Sequence, residues 1–558
     1  MITLFAMLLP LQASAQERSP VELWELRQQA DAALESQRFD DAQRLYDVLT
    51  TAQPESPHVW EGLWRSSVSL GHWQEAATAG ARLEALGHTL GAAVAYDVAE
   101  AHARLGNEPE TLDWLRRALR NRYEDRTGLI ERDAFASLRD NPAFLQIAGA
   151  VPGDLDRIRG WTFDLDFFVE EARRLHVHPE RPAFSEAFGD AVARLRSQLP
   201  QLSDEQILME FMRLAALLDD GHTVVYGPTP GSPIDAARLT LPVKLYEFSD
   251  GLFIVDASED HRALVGARVL RLGSITPDEA FGRLAAYRGA DNPMTLRWLG
   301  TEFYLRDLSA LRAIGATDES ALRLDVELPS GVKTSVDLAG GDFTFPRKLR
   351  PAMGVTPPLF LQRVDADYWL EPLPTLNAVY FQFNQVRDAE TGPSLAEFPA
   401  ELRALLRETG ATALVVDVRH NNGGNNSLLQ PLLHAMIEFD GSNAVHRLFV
   451  ITGRGTFSGA QNFISRVERH TAAVFVGEPS ASSPNFVGEE TNVILPWSRV
   501  AASISNRYWQ ESSPTDTRQW IAPDIPVALS SKDYFSGRDP VLEVLRRVIS
   551  ISNGPPTP

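Results

Sequence analysis

The chain contains no cysteine, which removes a thiol nucleophile, thiolate-bound zinc and disulfides from its chemistry. Positive charge is scarce: 53 Lys and Arg against 74 Asp and Glu leave a formal charge of -21. Such a surface repels a phosphate backbone, so nucleic acid is not expected as a partner. No segment past the N-terminus approaches the ~20 uninterrupted apolar residues that cross a bilayer, so no membrane span is expected. Also missing are His-Glu-x-x-His, a phosphate loop and a Gly-x-Ser-x-Gly elbow, the marks of zinc peptidases, nucleotide hydrolases and α/β-hydrolases. His176-Val177-His178 has a spacing that can bind metal, but without a partner cluster it reads as a surface pair. No metal or cofactor is expected.

What is present is a chain of 558 residues, 44% of them hydrophobic, enough for several cores and a multidomain α+β protein. Leu4 to Leu11 form a short apolar run followed by Ala13-Ser14-Ala15, the small-x-small pattern of a secretory leader. Residues 1–15 are therefore expected to be removed and the chain exported to the periplasm or beyond, although no Lys or Arg precedes the run. Residues 20–150 read as successive helices broken at Pro54, Gly71, Gly87 and Gly106. Gln37-Arg38-Phe39-Asp40-Asp41-Ala42 recurs as Gly71-His72-Trp73-Gln74-Glu75-Ala76, a shift of 34 (73 minus 39), and more loosely from Gly106. That period resembles tetratricopeptide repeats, in which each helix pair buries its apolar face on the next. A protein partner on these helices is expected.

Residues 155–225 continue helical, with Trp161, Phe163, Leu165, Phe167 and Phe168, and end in Asp219-Asp220-Gly221-His222-Thr223. Residues 230–345 change to short β-branched runs between Gly and Pro, with a hairpin expected through Pro329-Ser330-Gly331. From 365 to 550 strands and helices alternate: strands Val379 to Phe383, Ala413 to Val418, Leu448 to Thr452 and Ala473 to Val476, with helices between them. Such alternation builds a layered α/β core with its functional groups at strand C-termini.

Two of those ends carry chemistry. Ser458 falls where a buried strand hands over to a helix, with Gly453, Gly455 and Gly459 around it. A hydroxyl there stands clear of the sheet, beside helix N–H groups that can stabilise an oxyanion. On local sequence alone the commoner role for such a serine is the N-cap of its helix. The other end is Asp417-Val418-Arg419-His420-Asn421-Asn422-Gly423-Gly424, where side-chain-free backbone can approach a ligand, or simply turn. Asp417 and Arg419 are read as braces for this loop.

Four motifs in register, Asp-x-Arg-x-Asn-x-Gly-Gly, Thr-Gly-Arg-x-Thr-Phe-Ser, Val476-Gly477-Glu478-Pro479 and Trp520-Ile521-Ala522-Pro523-Asp524-Ile525, resemble the carboxyl-terminal processing (tail-specific) serine peptidase family over about residues 210–545. The resemblance implies a crotonase-like α/β core, Ser458 as nucleophile, and the N–H groups of Gly424 and Gly459 as the oxyanion hole. It also implies a peptide-binding PDZ-like domain over 230–345, where Val265 to Gly273 resembles the middle of such a domain but the carboxylate-binding glycine loop is not evident. Tail-specific members place a lysine base 25 residues after the serine; here that position (458 plus 25) holds Ser483, and no lysine occurs between Lys348 and Lys532. Asp219-Asp220-Gly221-His222-Thr223 resembles the tricorn-like branch, which implies His222 as general base. An imidazole can take the serine proton and return it to the leaving amine near neutral pH. Asp220, Glu490 and Asp516 are the acidic candidates for supporting it. The expectation is an exported serine endopeptidase acting on protein or peptide; the alternatives are a non-catalytic peptide- or ligand-binding scaffold and a hydrolase of small esters or amides.

Overall fold

The computed structural model describes residues 18–87, 91–121, 125–177, 186–234 and 238–552. The expected leader at 1–15 and His178 lie outside them. The chain divides into two compact units, Met1–Arg174 with Leu495–Ser498, and Leu175–Ile494 with Arg499–Pro558. The helices expected together over 155–225 thus fall in both units.

The first unit opens with α1 (Pro20–Glu35), α2 (Phe39–Ala52), α3 (Pro57–Leu70), α4 (Trp73–Ala85), α5 (Ala92–Arg104) and α6 (Glu108–Arg120). Ser19 starts α1 with a capping box closed by Glu22, and Gly71 ends α3 in the left-handed conformation at φ 73°. Each helix buries Ala, Leu or aromatic residues against its neighbours. The fit is close: a Cβ on Gly62 would lie 2.1 Å from the Tyr46 ring, and one on Gly80 2.1 Å from Val98. Later in this unit Trp161 meets Trp497 edge-on at 5.6 Å, and the buried Asp164 carboxylate accepts the N–H groups of Trp497 and Ser498 at 2.9 and 2.8 Å.

The second unit carries three sheets. β1 (Val224–Pro228) follows the helix Asp204–Ala216. β2 (Val243–Phe248), β3 (Gly251–Ala257), β4 (Arg268–Leu272), β5 (Ala321–Glu327) and β6 (Lys333–Ala339) form an antiparallel sheet in sequence order. The expected hairpin is β5–β6. β7 (Tyr368–Leu373), β8 (Ala378–Phe383), β9 (Ala413–Asp417), β10 (Arg447–Thr452) and β11 (Val474–Gly477) belong to the main sheet, β12 (Asn485–Ile494) and β13 (Val500–Gln510) form a long hairpin, and β14 (Ile525–Pro526) returns to the main sheet. Its order is β14-β11-β10-β9-β8-β7, parallel except for the β7–β8 pair.

All six residues of β8 and all five of β9 are buried, as parallel strands covered on both faces require. Phe381, Phe383, Val416, Val450, Phe463 and Ile464 meet in one core, each contributing about 1.5–3 kcal/mol by leaving water. At the C-terminal edge of this sheet the Asp417 carboxylate accepts from Tyr380 Oη at 2.7 Å and from Arg419 at 2.6 Å. Arg419 also reaches Asp539 at 2.8 Å and lies over the Phe360 ring at 4.0 Å. Asp417 and Arg419 therefore brace the loop that follows β9, as read from sequence. Removing one member leaves the others buried and unmatched, so Asp417→Ala is expected to destabilise the second unit by about 3 kcal/mol, measured by denaturant unfolding.

Candidate active site

Ser458 begins the helix Gly459–His470 at φ 53° and ψ -121°, and its hydroxyl makes no capping bond. A non-glycine residue in this region costs on the order of 1–3 kcal/mol, and the N-cap role that would explain a serine here is not taken up. The turn is built by its neighbours. Thr456 Oγ1 donates to the Val418 carbonyl at 2.9 Å and accepts the Gly453 N–H at 3.1 Å. The Phe457 N–H donates to the Asn421 carbonyl at 3.1 Å, and the Ser458 N–H to Ser482 Oγ at 3.3 Å. Arg454 grips Glu478 at 2.6 Å and Glu247 of β2 at 3.1 Å, which ties the turn before Ser458 to Val476-Gly477-Glu478-Pro479 and to β2.

The loop after β9 packs directly on this turn. Gly423 has φ 108° and a Cβ there would lie 2.8 Å from Ser458 Cβ; Gly424 has φ 134° and would clash with the Val386 carbonyl at 2.1 Å. Only glycine fits either position. The site that a Cβ on Gly459 would occupy is 3.0 Å from the Gly424 nitrogen. The N–H groups of Gly424 and Gly459 enter no hydrogen bond among the described residues, so both remain available to an oxyanion.

His222 and Ser458 line one cavity of ≈ 1020 Å³, together with Trp298, Gly424, Phe457 and Glu490. The buried imidazole stacks on Phe457, the residue before Ser458, at 4.5 Å, and on Phe486 of β12 at 5.6 Å. Neither ring nitrogen closes a well-formed hydrogen bond among the described residues, Ser458 included, although the Val487 backbone bears on the ring. Burial pushes its pKa down to about 4 against the upward pull of the Asp220 charge, so the ring is neutral at pH 7.

The three acidic candidates occupy different surroundings. Asp220 Oδ1 accepts the N–H groups of His222 and Thr223 at 2.7 and 2.6 Å and the Ser505 hydroxyl at 2.6 Å; Oδ2 faces His176 Nε2 at 3.1 Å. Burial would raise this carboxyl, but His176, Ser505 and Thr223 outweigh it and bring it down to about 2. Asp220 thus holds the backbone that carries His222. His176 is buried at 3% exposure, which corrects the surface assignment for this residue: its partner is a carboxylate 44 residues away. Glu490 lies on the cavity wall, with its carboxyl raised by desolvation and by Glu489 and Asp220. Asp516 is held by Ser512 at 2.6 Å and Arg518 at 2.8 Å, mainly through Arg518 well below the usual carboxylate range. Ser483, at the position of the family lysine, donates to the Gln519 carbonyl at 3.1 Å.

Two contributors escaped the sequence reading. The β12–β13 hairpin brings the His222 loop in: β1 pairs with β13, Val224 opposite Ser503. Asp291 Oδ1 accepts the Gly221 N–H at 2.7 Å, and burial pushes its carboxyl up to about 7. Neither carries a motif.

No family model and no characterised protein sequence matches the chain. Among solved structures, mature CPAF aligns at a TM-score of 0.50 and 14% identity, over 72% of this chain and 99% of its own. CPAF complexed with lactacystin aligns at 0.51 and 13%, over 71% and 99%. The chain shares the CPAF fold. The photosystem II D1 C-terminal processing protease aligns at a TM-score of 0.34 and 13% identity, over 71% of this chain and 98% of its own.

His222 titrates between pH 6.5 in the unfolded chain and about 4 when folded. Over that interval the unfolded state binds more proton, so its contribution to stability is intact above pH 6.5 and lost as pH falls toward 4. Unfolding measured from pH 7 to 4 is expected to show a loss in the wild type that is smaller, by a few kcal/mol, in His222→Phe.

Proposed function

We propose that the chain is a serine endopeptidase acting on protein or peptide substrates. One observation carries this reading: an uncapped serine on a strained turn shares a cavity with a buried imidazole and with Gly424, whose N–H enters no hydrogen bond among the described residues. Buried imidazole nitrogens that close no well-formed hydrogen bond are costly in a structure that has no use for them. Here Ser458 Oγ attacks the substrate carbonyl carbon while a His222 nitrogen takes its proton. The resulting oxyanion is held by the Gly424 and Gly459 N–H groups. The tetrahedral intermediate collapses as His222 protonates the leaving amine, and water repeats the cycle on the acyl-serine.

His222 and Ser458 are not hydrogen-bonded in the free chain; in free enzymes such contacts are often long and tighten with substrate. Of the acidic candidates, Glu490 lies on the cavity wall, but Asp220 is the one whose charge bears on the imidazole, and it is favoured as the group that both answers the imidazolium charge and sets the loop. The fold shared with CPAF supports a peptidase, the coarse class of its structural neighbours. The five-stranded sheet is read as PDZ-like and the main sheet as crotonase-like. The helix pairs α1–α6 are read as tetratricopeptide-like, docking a partner, and the chain as exported, periplasmic or secreted. The missing family lysine favours one rival, a pseudopeptidase that holds its ligand without cleaving it.

A fluorophosphonate probe is expected to label the folded wild type on Ser458 and to leave Ser458→Ala unlabelled, with casein cleavage lost in parallel by about 10³-fold or more. The acid limb of kcat/KM is expected near pH 4 to 5, below that of an ordinary histidine, because only neutral His222 accepts the proton. An unlabelled wild type whose residual proteolysis is matched by Ser458→Ala would overturn Ser458 as nucleophile and leave the binding scaffold as the reading.

A further inference from the structure

The loop that carries His222 and the turn that carries Ser458 lie 236 residues apart in sequence (458 minus 222), yet the proposed chemistry needs them at a fixed spacing. A single short segment, Arg288–Thr295, bonds to the supports of both. It leaves the helix Pro277–Leu284, which is attached to the five-stranded sheet, and runs into the helix Pro293–Leu299.

On the histidine side, Arg288 Nη2 donates to the Gly221 carbonyl at 2.6 Å, and Asp291 Oδ1 accepts the Gly221 N–H at 2.7 Å. Both backbone groups of the residue before His222 are therefore taken by this segment. The approach is close: a Cβ on Gly289 would lie 2.5 Å from the Asp220 carbonyl, and one on Gly221 2.9 Å from Asp291 Oδ1 and from the Phe457 ring. On the serine side, Thr295 Oγ1 donates to the Ala481 carbonyl at 2.6 Å and Asn292 Nδ2 to the Ser480 carbonyl at 3.1 Å. The Ser482 hydroxyl, which accepts the Ser458 N–H at 3.3 Å, also lies beside the Asp291 carboxyl. Asp291 Oδ2 is buried and closes no well-formed hydrogen bond among the described residues, so Ser482 is the side chain placed to answer this carboxyl.

We propose that Arg288–Thr295 is a clamp that sets the distance between His222 and Ser458, with Asp291 as its central positioning residue. The inference rests on the serine-peptidase reading. Asp291 touches neither substrate nor the reacting atoms in this scheme; it acts through Gly221 and Ser482. The clamp also makes the five-stranded sheet part of the catalytic machinery, since the segment that spaces the site is anchored there.

The test uses the full chain with Asp291→Ala, Asp291→Asn and Thr295→Val, followed by fluorophosphonate labelling rate, kcat and KM on one peptide substrate, and thermal unfolding. Asp291→Ala is expected to lower kcat and labelling rate together by about 10- to 100-fold, the scale of a misplaced catalytic group, with KM within about twofold. Asp291→Asn keeps an oxygen for the Gly221 N–H and is expected to recover most of that rate. Thr295→Val, close in shape and without the hydroxyl, is expected to lower kcat in the same direction and provides the reading if Asp291→Ala does not fold. A labelled wild type with Asp291→Ala, or Thr295→Val where the former is unfolded, at wild-type kcat overturns the clamp alone. An Asp291→Asn variant as slow as Asp291→Ala also overturns it, because the acceptor oxygen would not be what matters. A wild type that never labels overturns the peptidase reading and the clamp with it.

Discussion

The antiparallel pairing of β1 with β13 is the contact on which the candidate site is assembled. β1 begins two residues after His222, and β13 is the returning arm of a hairpin that leaves the main sheet soon after the Ser458 helix. Without that pairing His222 would hang from the end of a helix far along the chain. With it, Ser503 Oγ donates to the His222 carbonyl at 2.9 Å and Ser505 Oγ to Asp220 at 2.6 Å. Two serines of one strand thus set the backbone on both sides of the imidazole. The carboxylate of Asp220 does the rest: one oxygen gathers two N–H groups and a hydroxyl, which is how a short loop acquires a single conformation.

The orientation of the ring follows from a different force. Its two stacking contacts are to Phe457 and Phe486, so the imidazole is held by aromatic faces and not through its nitrogens. Most supported histidines are fixed by a hydrogen bond at one nitrogen, which selects the tautomer. Here stacking supplies the orientation and neither nitrogen closes a well-formed hydrogen bond, although the Val487 backbone bears on the ring, and burial depresses its basicity. Phe457 couples the two partners directly, because the ring that packs on His222 is one peptide unit from Ser458. Any rotation of that turn moves the surface on which the imidazole rests.

Much of this fold was readable because its strands are buried on both faces. β8, β9 and β10 appear in the sequence as apolar runs within one or two residues of their observed limits, and β9 and β10 end in glycine-rich turns that the motif spacing also marked. Ser458 and Gly424 were singled out as candidates through those turns, and His222 through Asp219-Asp220-Gly221-His222-Thr223 and the resemblance it carries. The hairpin β12–β13 was not, because β13 reads Val-Ala-Ala-Ser-Ile-Ser-Asn-Arg-Tyr-Trp-Gln, with small polar residues inward where alternation of large apolar side chains would have announced a strand. Its buried Ser503 and Ser505 are there to bond the His222 loop, and a function of that kind erases the pattern by which strands are recognised. Asp291 was missed for a related reason: a lone Asp before Asn-Pro reads as a helix start, and its partner is the backbone of a distant glycine.

The strain at Ser458 and the two glycines behind it are one arrangement. At φ 53° and ψ -121° the serine is in a conformation it would leave if the chain allowed. Gly423 fills the space at its back, with room for no side chain: an added Cβ would sit 2.6 Å from the Gly459 nitrogen and 2.8 Å from Ser458 Cβ. The Ser458 N–H is fixed on Ser482 and its carbonyl on the Asn462 N–H at 3.0 Å. Backbone groups on both sides of the residue are therefore committed, and the hydroxyl is the one polar group of Ser458 left over. At this φ and ψ the Ser458 oxygen makes no bond back to the N–H groups of its own helix, as it would in an ordinary N-cap with extended backbone. The same contacts that impose the strain thus keep the hydroxyl pointed away from the protein's own hydrogen bonds, and that is the structural condition for a nucleophile as opposed to a cap.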